Sequence, residues 1–474
     1  MIEPLKRHAN LLIGIGAVFY VALLLALVFT RAAWIDESWF TAYTVHLLRF
    51  GEIADLNMAR FTNQLPHSFF FYAYTYLQAP FYKLFGENLF VGRFVTLFFA
   101  LWGAAAIYLT YRRYFQLDQT AAAAGTLTAV STFYYVVAAT HIRPDVISVA
   151  FVMTALLTFR RWEEGDGWRW LFLTHFLFLY ALLTHLQTAY AWMAFWLYLL
   201  IRYAKDPRRL TIFLLSIAPY LLALLYFVLD PFFKENVRIF YETFLGEHNK
   251  VSGRSMISSI LLKLSEGDYL KAGVRIALLT VFSLNFLGFA ARKGWRNAFG
   301  DPFFVVALGA FASWVLTVNS IGSYHAVWLA PAFMLMFYNL LGSGAFMRYL
   351  NLLMFALFIG ATLKFAWHTV TTDPLARQNR EVSILTDKYD LKHHTLFVQR
   401  DLMWYFHFAP NVTYRRTCAD CMPEYLIFRK ATHKRKRIYL SGDEPGIRYH
   451  GEDVPYRLID ETAHFMLYKR CPQC

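Results

Sequence analysis

Hydrophobic residues along this chain come in blocks of roughly 18–22 residues, separated by short polar segments. A block of that length crosses the hydrocarbon core of a membrane, about 30 Å thick, as a helix. We count about eleven such blocks, so the pattern predicts an α-helical polytopic membrane protein. The predicted spans are residues 11–30, 91–111, 119–138, 144–161, 169–185, 188–202, 210–229, 272–290, 302–319, 324–341 and 349–369.

Basic residues in the short connections give these predicted spans an orientation. They fall on one side of the membrane if every block crosses it, and such residues collect on the cytoplasmic side. The N-terminus is therefore predicted to be cytoplasmic, and an odd number of crossings places the chain after about residue 371 outside. The basic groups are Lys6-Arg7, Arg112-Arg113, Arg160-Arg161, 202–209, 292–296 and Arg348. The first block is too long for a signal peptide and lacks a small-residue cleavage site, which predicts an anchor.

This topology leaves two long outer loops, residues 31–90 and 230–271. Aromatic residues and leucine recur at helical spacing between Trp39 and Phe50, with Thr41 and Thr44 on the other face. That pattern predicts an interfacial helix on the membrane surface, ended by Gly51.

A second aromatic stretch, "HSFFFYAYTYLQAPFYKLFG", begins at residue 67 in the same loop. Pro80 is expected to break it, because proline interrupts helical hydrogen bonding. We interpret the stretch as a second helix that lies on the membrane or is half inserted. A short spanning helix is the alternative, although it would invert all later topology.

Residues 371–474 differ from the rest in being polar. The runs "HTLFVQ", "YLIFRK" and "HFMLYKR" alternate in the manner of strands, and "LARQNREVSILTDKY" has a helical pattern. We therefore expect two domains: a membrane domain over residues 1–370 and a small extracytoplasmic α/β domain over residues 371–474.

Composition supports the membrane class, since only 16% of residues are charged and 58% are hydrophobic. Soluble proteins usually carry about 25% charged residues. The net charge of +14 does not indicate nucleic-acid binding, because most basic residues occupy the positions that set topology. The run at 433–437 is the exception. It is either a solvated loop or a contact for anionic lipid heads or a polyanionic acceptor.

The four cysteines form two CxxC pairs near the end of the chain: Cys418, Cys421, Cys471 and Cys474. Such pairs can bind zinc or form disulfides. An outer location favours disulfides, because extracytoplasmic compartments are oxidising. Both pairing within each motif and cross-pairing stay open.

The adjacent acids Asp36 and Glu37 follow the first predicted span, among aromatic residues. One interpretation is structural: Asp36 caps the following helix and Glu37 favours its positive end. The other is functional: a carboxylate at the rim of a water-filled cavity deprotonates a hydroxyl or binds a divalent metal. No tight metal-ligand spacing accompanies these acids, so no cofactor is assigned and a metal at Asp36 stays open.

A second constellation, "THIRPDVIS", lies at an outer turn. Pro144 and Asp145 suit the start of a helix for structural reasons alone. That explanation does not account for His141 and Arg143 at the same turn, and a guanidinium is a natural partner for phosphate.

Further candidate residues fall on the same predicted outer face. His185 lies at the next outer turn, while Tyr324 and His325 are expected to begin a helix that contains Pro331. Histidines at helix ends are often merely solvated. These residues are candidates for a functional site because they are all predicted to lie on the same face of the membrane. Arg60 and Lys83 join them from the first outer loop.

Known nucleotide-binding and protease motifs, such as a Walker loop, a dinucleotide fingerprint or HExxH, do not occur in the sequence. A nucleotide-using enzyme would need such a site on the cytoplasmic side, where the predicted loops are too short.

The order of these motifs resembles the GT-C class of polytopic glycosyltransferases. The resemblance rests on the outer "DE", then "KLFGENLFVGRF", then "YRRYF", then "RPD" at the next outer turn. It covers about residues 10–340 and is most specific over 34–160. The branch it indicates includes protein O-mannosyltransferases, lipid A aminoarabinose transferases and galacturonic-acid transferases.

The resemblance implies an enzyme that moves a sugar from a polyprenyl-phosphate carrier to an envelope glycan, lipid or protein on the outer face. Asp36 would be the base or acceptor-positioning carboxylate, and Asp145 would match the second acidic position. For the cation on the departing phosphate, Arg143 is the first candidate, with His325 and Arg60 behind it.

Two rival functions remain from the sequence. A transporter or flippase for lipid-linked sugars would use the same cavity without a base, and it would show charged or broken helices near the bilayer midplane. A binding protein with a degenerate membrane part is the third interpretation. A bacterial inner membrane is the expected location, because the sequence shows no eukaryotic targeting signal.

Overall fold

The structure is a computed structural model that describes most of the chain. The described residues are 2–51, 53, 72–229, 256–317, 324–409, 411–413, 423–430, 440–441, 444–449 and 452–471. The run at 433–437, Arg60, most of the loop 230–271 and three of the four cysteines lie outside them.

Helices make up most of the described chain, in keeping with its long apolar blocks. The first ten are α1 Ile2–Thr30, α2 Ile35–Phe50, α3 Tyr72–Phe85, α4 Leu89–Arg113, α5 Gln119–Val130, α6 Phe133–Ala139, α7 Pro144–Glu163, α8 Trp168–Thr184, α9 Thr188–Tyr203 and α10 Arg209–Leu229. The others are α11 Met256–Ser265, α12 Tyr269–Lys293, α13 Trp295–Phe299, α14 Pro302–Thr317, α15 Ala330–Gly342, α16 Ala345–Thr372 and α17 Pro374–Tyr389.

Within the described residues, five helices are long and apolar enough to span a membrane, and a bent pair brings this to six. Shorter apolar helices occupy Trp168–Thr184, Pro302–Leu316 and Val327–Gly342. The predicted helical membrane architecture is confirmed in this coarser form. The number of eleven crossings stays a prediction.

The span expected over 119–138 is not one continuous helix. The chain forms α5 and α6 there, bent by 73° at a short break. Thr132 sits at the break with an extended backbone and donates its hydroxyl to the carbonyl of Ala129 at 2.8 Å. A hydroxyl that bonds to a nearby carbonyl competes with helical bonding, which hydrophobicity alone does not reveal.

The helix expected over 324–341 also differs. Residues Tyr324–Leu329 form a 3-10 helix, and the α-helix begins only at Ala330. Pro331 therefore stands in the first turn of α15 and not inside a longer helix. Proline suits the first turn because the amide hydrogen it lacks has no helical partner there.

The helix that was expected to lie on the membrane surface is buried on its polar face. The hydroxyls of Thr41 and Thr44 are fully buried, and they bond to Tyr82 and Gln78 of α3 at 3.2 and 3.1 Å. Helix α3 also continues through Pro80, so the expected break there is wrong. The predicted end at Gly51 is confirmed, with a left-handed backbone at φ 78° that glycine adopts freely.

The described strands of the C-terminal part form one seven-stranded sheet. Their order is β2-β1-β3-β7-β6-β5-β4, with β1 parallel to β2 and β3 and the other pairs antiparallel. All three predicted strand runs are confirmed, as β1, β3 and β7, and the predicted helix is α17. The strands are β1 Leu396–Val398, β2 Val412–Thr413, β3 Tyr425–Arg429, β4 Leu440–Ser441, β5 Glu444–Tyr449, β6 Glu452–Glu461 and β7 Phe465–Arg470.

The chain divides into two compact units. The first comprises residues 1–25, 69–74 and 96–366, and the second comprises 26–68, 75–95 and 367–474. In the second unit, Arg49 of α2 donates to the carbonyl of Phe408 at 3.2 Å and pairs with Glu87 at 2.5 Å. Segments 26–68 and 75–95 and the C-terminal part therefore share one folded unit.

A buried amide network joins three helices of the first unit. Asn285 of α12 exchanges hydrogen bonds with Asn351 of α16 at 3.0 and 2.9 Å. Asn339 of α15 donates to the Asn285 backbone carbonyl at 2.8 Å. Such bonds fix the register of apolar helices, because each amide left unbonded in the interior would cost about 1–3 kcal/mol.

Candidate functional site

The first unit holds a charged cluster at the start of α7. Arg143 has an extended backbone just before the helix, Pro144 opens it, and Asp145 lies in its first turn. This follows from the sequence, because proline fixes a helical φ and an acid is stabilised at a helix N-terminus. Both charged side chains are buried, with Arg143 2% exposed and Asp145 0%.

His185 of the same unit reaches the same carboxylate. Arg143 Nε donates to Asp145 Oδ2 at 2.9 Å, and His185 Nε2 lies 3.5 Å from Asp145 Oδ1. The backbone N–H of Gln187 donates to His185 Nδ1 at 3.3 Å. Since Nδ1 accepts a hydrogen bond, the neutral imidazole carries its proton on Nε2, which faces Asp145.

The sequence-predicted residues Arg143, Asp145 and His185 are thus in contact, and His141 is buried in the preceding turn. A buried guanidinium next to a helix N-terminus is suited to an oxyanion such as phosphate. The imidazole adds a group that can gain or lose a proton. The cluster therefore combines a fixed cation with a titratable partner.

The second unit contains a different buried ion pair. Arg93 of α4 binds the Glu37 carboxylate through Nε and Nη2, both at 2.8 Å, and both side chains are fully buried. Its other N–H groups donate to the carbonyls of Val28, Arg31 and Ala32 at 2.7, 2.9 and 3.1 Å. All five guanidinium N–H groups thus have acceptors.

Glu37 stabilises the start of α2, a role that the sequence analysis gave to its neighbour Asp36. Its carboxylate accepts the backbone N–H of Trp34 at 2.7 Å, which satisfies the residue that caps α2. The expected capping by Asp36 is wrong, since α2 begins at Ile35 and Asp36 lies inside its first turn, partly buried. Of the two adjacent acids, Asp36 is the one that capping does not explain.

Other predicted site residues are less informative. Lys83 is exposed in the last turn of α3. Tyr324 and His325 lie in the 3-10 helix, but their side chains lie outside the described part of the structure. Arg60 lies outside the described residues altogether. The 3-10 helix itself packs against α7.

Arg93 was missed at the sequence level, although a signal was present. It is an arginine near the start of an otherwise apolar block, "LFVGRFVTLFF". A charge at such a position needs a partner, because a lone ion in an apolar interior is costly. The sequence does not reveal that its partner is Glu37.

Cys471 is disulfide-bonded, and the other three cysteines lie outside the described residues. Among the residues that the structure describes, no three His, Cys, Asp or Glu side chains come close enough together to hold a metal ion. A divalent metal at Asp36 stays a hypothesis.

Comparison with known proteins identifies similarities of two kinds. The family model for dolichyl-phosphate-mannose-protein mannosyltransferases matches residues 72–230. This stretch contains the whole Arg143, Asp145 and His185 cluster and Arg93. No curated protein matches the chain.

Solved structures extend the similarity to nearly the whole chain. ArnT from Cupriavidus metallidurans bound to undecaprenyl phosphate superposes with a TM-score of 0.56 and 14% identity, covering 95% of this chain and 97% of that one. The apo form of the same protein gives 0.55 and 14%, covering 96% and 97%. At this identity the superposition establishes a shared fold.

An archaeal oligosaccharyltransferase, AglB from Archaeoglobus fulgidus, gives a TM-score of 0.49 at 14% identity, covering 77% of this chain and 56% of that one. The resemblance to GT-C class polytopic glycosyltransferases expected from the sequence is confirmed by the family match and the shared ArnT fold. The chain is an integral membrane protein that shares the fold of ArnT.

Proposed function

We propose that this protein transfers a sugar from a polyprenyl-phosphate carrier to an acceptor hydroxyl in the cell envelope, on the outer face of the membrane. The observation that carries the proposal is the buried Arg143–Asp145–His185 cluster, at the start of a helix inside the matched family segment. The bound undecaprenyl phosphate of ArnT, which shares this fold, supports a polyprenyl-phosphate carrier here.

The chemistry requires two opposite charges. A carboxylate accepts the proton of the acceptor hydroxyl while its oxygen attacks the anomeric carbon of the sugar. The bond between that carbon and the phosphate oxygen breaks, and the lipid phosphate leaves with an additional negative charge. We assign the stabilising cation to Arg143, which hydrogen-bonds oxyanions well. For the base we propose Asp36, on the ground of the sequence resemblance alone.

Within the cluster, Asp145 orients the guanidinium and His185 has a further role. The Asp145 carboxylate holds Arg143 through Nε. His185 faces the opposite carboxylate oxygen, so gain of a proton there would add positive charge beside the departing phosphate. We propose a bacterial inner membrane as the location.

Label transfer from radioactive polyprenyl-phosphate sugars to a crude envelope acceptor tests the proposal. Purified wild type is compared with Asp36→Asn, which keeps the side-chain shape and removes the charge. We expect at least a hundredfold loss of transfer, since general-base catalysis contributes about 10²–10⁴-fold. Unfolding temperature measured in the same detergent checks that the variant is folded.

Asp166→Asn is the matched control, because Asp166 lies in an exposed turn and pairs only with Arg161 among the described residues. It should transfer label at the wild-type rate. Equal transfer by Asp36→Asn and the wild type would remove Asp36 from catalysis. Absence of transfer from every donor tried, with the protein folded, would refute the enzymatic proposal.

A flippase for lipid-linked sugars is the second candidate, and one observation favours it. The bent pair α5 and α6 is a discontinuous helix, a feature typical of secondary transporters. The flippase would move a labelled polyprenyl-phosphate sugar across a proteoliposome without an acceptor, and Asp36→Asn would leave that movement intact. Movement of this kind without label transfer would favour the flippase over the transferase.

A further inference from the structure

The second unit contains a cavity of about 500 Å³, and its lining residue Ala32 also accepts a hydrogen bond from Arg93 through its backbone carbonyl. Its described lining comes from the segment before α2, from α17, from the end of β3 and from the turn before β7. The lining residues are Ala32, Pro374, Arg377, Gln378, Glu381, Arg429, Lys430, Ala463, His464 and Phe465. A cavity of this size can hold a sugar residue with a charged substituent.

The lining is mainly basic. Three permanent cations, Arg377, Arg429 and Lys430, stand against one lining carboxylate, Glu381. Arg429 already pairs with Asp401 and Lys430 with Glu461, so Arg377 is the lining cation that has no ion pair among the described residues. The Glu381 carboxylate is already engaged, because it accepts from the backbone N–H of His464 at 2.8 Å and lies 2.6 Å from the His464 ring nitrogen Nδ1. The cavity therefore attracts an anion more strongly than a cation.

Two lining side chains also carry polar atoms without a hydrogen-bond partner among the described residues. Gln378 is only 6% exposed, and its Oε1 has none. Its Nε2 makes a long bond of 3.5 Å to the Asp401 carbonyl. Arg429 pairs with Asp401 through Nη2, whereas its Nε is buried without an acceptor.

Buried polar atoms are normally satisfied, so those that are not call for an explanation. Here one acceptor and one donor in the same lining match a ligand that offers hydroxyl hydrogens and an oxyanion together. A simple anion would satisfy only the donor. A neutral sugar would leave Arg377 without an anionic partner and the Nε of Arg429 without a charged acceptor.

We propose that this cavity binds a sugar that carries an oxyanion, either a carboxylate or a phosphate, as part of the acceptor. This rests on the proposed function. Ala32 belongs to the lining and precedes Asp36 by four residues, which span at most about 14 Å. A glycan anchored in the cavity would therefore lie near the proposed base.

Binding to the purified full-length chain in detergent tests this without any transfer reaction. The probes are glucose 6-phosphate, glucuronic acid, glucose and inorganic phosphate, measured by calorimetric titration. We expect both anionic sugars to bind at least about tenfold more tightly than glucose and than inorganic phosphate, since charge-assisted hydrogen bonds are about twice as strong as neutral ones. Anionic phospholipid vesicles should not displace them.

Two variants address the lining directly. Arg377→Gln should weaken both anionic sugars about tenfold, whereas Arg380→Gln, on the same helix but absent from the cavity lining, should bind them as the wild type does. Gln378→Leu should weaken sugar binding with little change in the unfolding temperature, because it removes an oxygen without a partner among the described residues and only a long 3.5 Å bond from Nε2. A purely structural glutamine would instead lower it.

Three results would overturn the inference. If glucose bound as tightly as glucose 6-phosphate, the oxyanion would have no role in recognition. If inorganic phosphate bound as tightly as either anionic sugar, the cavity would be an adventitious ion site only. Equal losses in Arg377→Gln and Arg380→Gln would indicate a general charge effect. Displacement by anionic vesicles would assign the cavity to a lipid headgroup.

The two proposals fail separately. Asp36→Asn should lose transfer and still bind both anionic sugars, because Asp36 is not in the lining. Binding by a wild type that transfers no label would uphold the cavity and refute the transferase. If the wild type transferred label but bound none of the anionic sugars, the transferase would be upheld and the cavity proposal refuted.

Discussion

The two buried ion pairs of this protein differ in what their arginines hold. Arg93 donates to Glu37 and to three backbone carbonyls, so it fixes the path of the chain between α1 and α2. Arg143 instead pairs with an acid only two residues away, whose second oxygen faces a histidine. The first pair joins distant parts of the sequence, and the second lies within one turn.

This difference shows that burial of a charge does not by itself mark a catalytic site. Glu37 and Asp145 are equally buried, and both accept from a guanidinium. What separates them is the remainder of the contacts: main-chain atoms around Arg93, and a titratable side chain next to Asp145. We therefore expect changes at the first pair to alter stability and changes at the second to alter transfer.

The largest effect should follow from Arg93→Leu. It leaves the Glu37 carboxylate and three carbonyls buried without their donor, and breaking a buried ion pair costs about 3–5 kcal/mol. We expect the unfolding temperature in detergent to fall accordingly. Arg113→Gln, which loses only an exposed pair with Glu164, should cost about 1 kcal/mol or less. Similar losses in the two variants would contradict the structural role of Arg93.

Asp145→Asn should affect transfer more than stability. The amide can still accept from Arg143 Nε, although the buried guanidinium loses its counter-charge, so the unfolding temperature should fall, and by less than in Arg93→Leu. Label transfer should fall about a hundredfold, because the orientation of the charge on the leaving phosphate depends on the carboxylate. The measurement pairs transfer rates with thermal unfolding. A folded variant with unchanged transfer would make this cluster structural as well.

A smaller effect is expected for His185→Gln. Glutamine can still donate a hydrogen bond toward Asp145, but it cannot take up a proton. We expect about a tenfold loss of transfer, near the lower end of what an acid–base group contributes. The pH profile of transfer between pH 5 and 8 should become flatter than in the wild type. An unchanged profile would show that the imidazole only supports the fold.

A third buried carboxylate gives the mildest test. Burial raises the pKa of Asp401, while the charge of Arg429 opposes the rise. The folded state therefore holds this proton more tightly than the unfolded state does. The contribution of Asp401 to the unfolding free energy is fully present below the ordinary aspartate pKa of about 3.9, and it is lost as pH rises through the folded-state pKa.

Asp401→Asn should remove this dependence. Unfolding temperatures between pH 3 and pH 7 would be compared for the two proteins, and the variant should lose less stability as the pH rises. Asp387 is exposed on α17 and accepts a hydrogen bond from Ser383, so Asp387→Asn is a suitable control that should keep the wild-type trend. Parallel curves for wild type and Asp401→Asn would contradict the assignment.

Much of the fold could be predicted because its signals are local. Apolar blocks gave the helices, alternation gave β1, β3 and β7, and Gly51 ended α2. The break at Thr132 was hidden, because it depends on a single hydroxyl bonding to the Ala129 carbonyl within an apolar block. The polar face of α2 was misjudged because its threonines are satisfied by α3, which a periodic pattern does not show.

The site was predicted unevenly for the same reason. Arg143 and Asp145 stand two residues apart, so their pairing was visible in the sequence. Asp36 and Glu37 are adjacent acids and look alike, and only the position of Arg93 separates them. The cavity beside α17 could not be anticipated, since its lining comes from segments at both ends of the chain.

The pairing of Glu37 with Arg93 also has a consequence in time. The two residues are separated by 56 positions, so the ribosome completes Glu37 well before Arg93 exists. At about 5–20 residues per second, the delay is about 3–11 s. During that interval the carbonyls of Val28, Arg31 and Ala32, at the end of the first helix and just after it, have no guanidinium to bond to. The junction after the first helix is therefore set late, and a nascent chain arrested before Arg93 would expose an unneutralised acid to the quality-control machinery of the membrane.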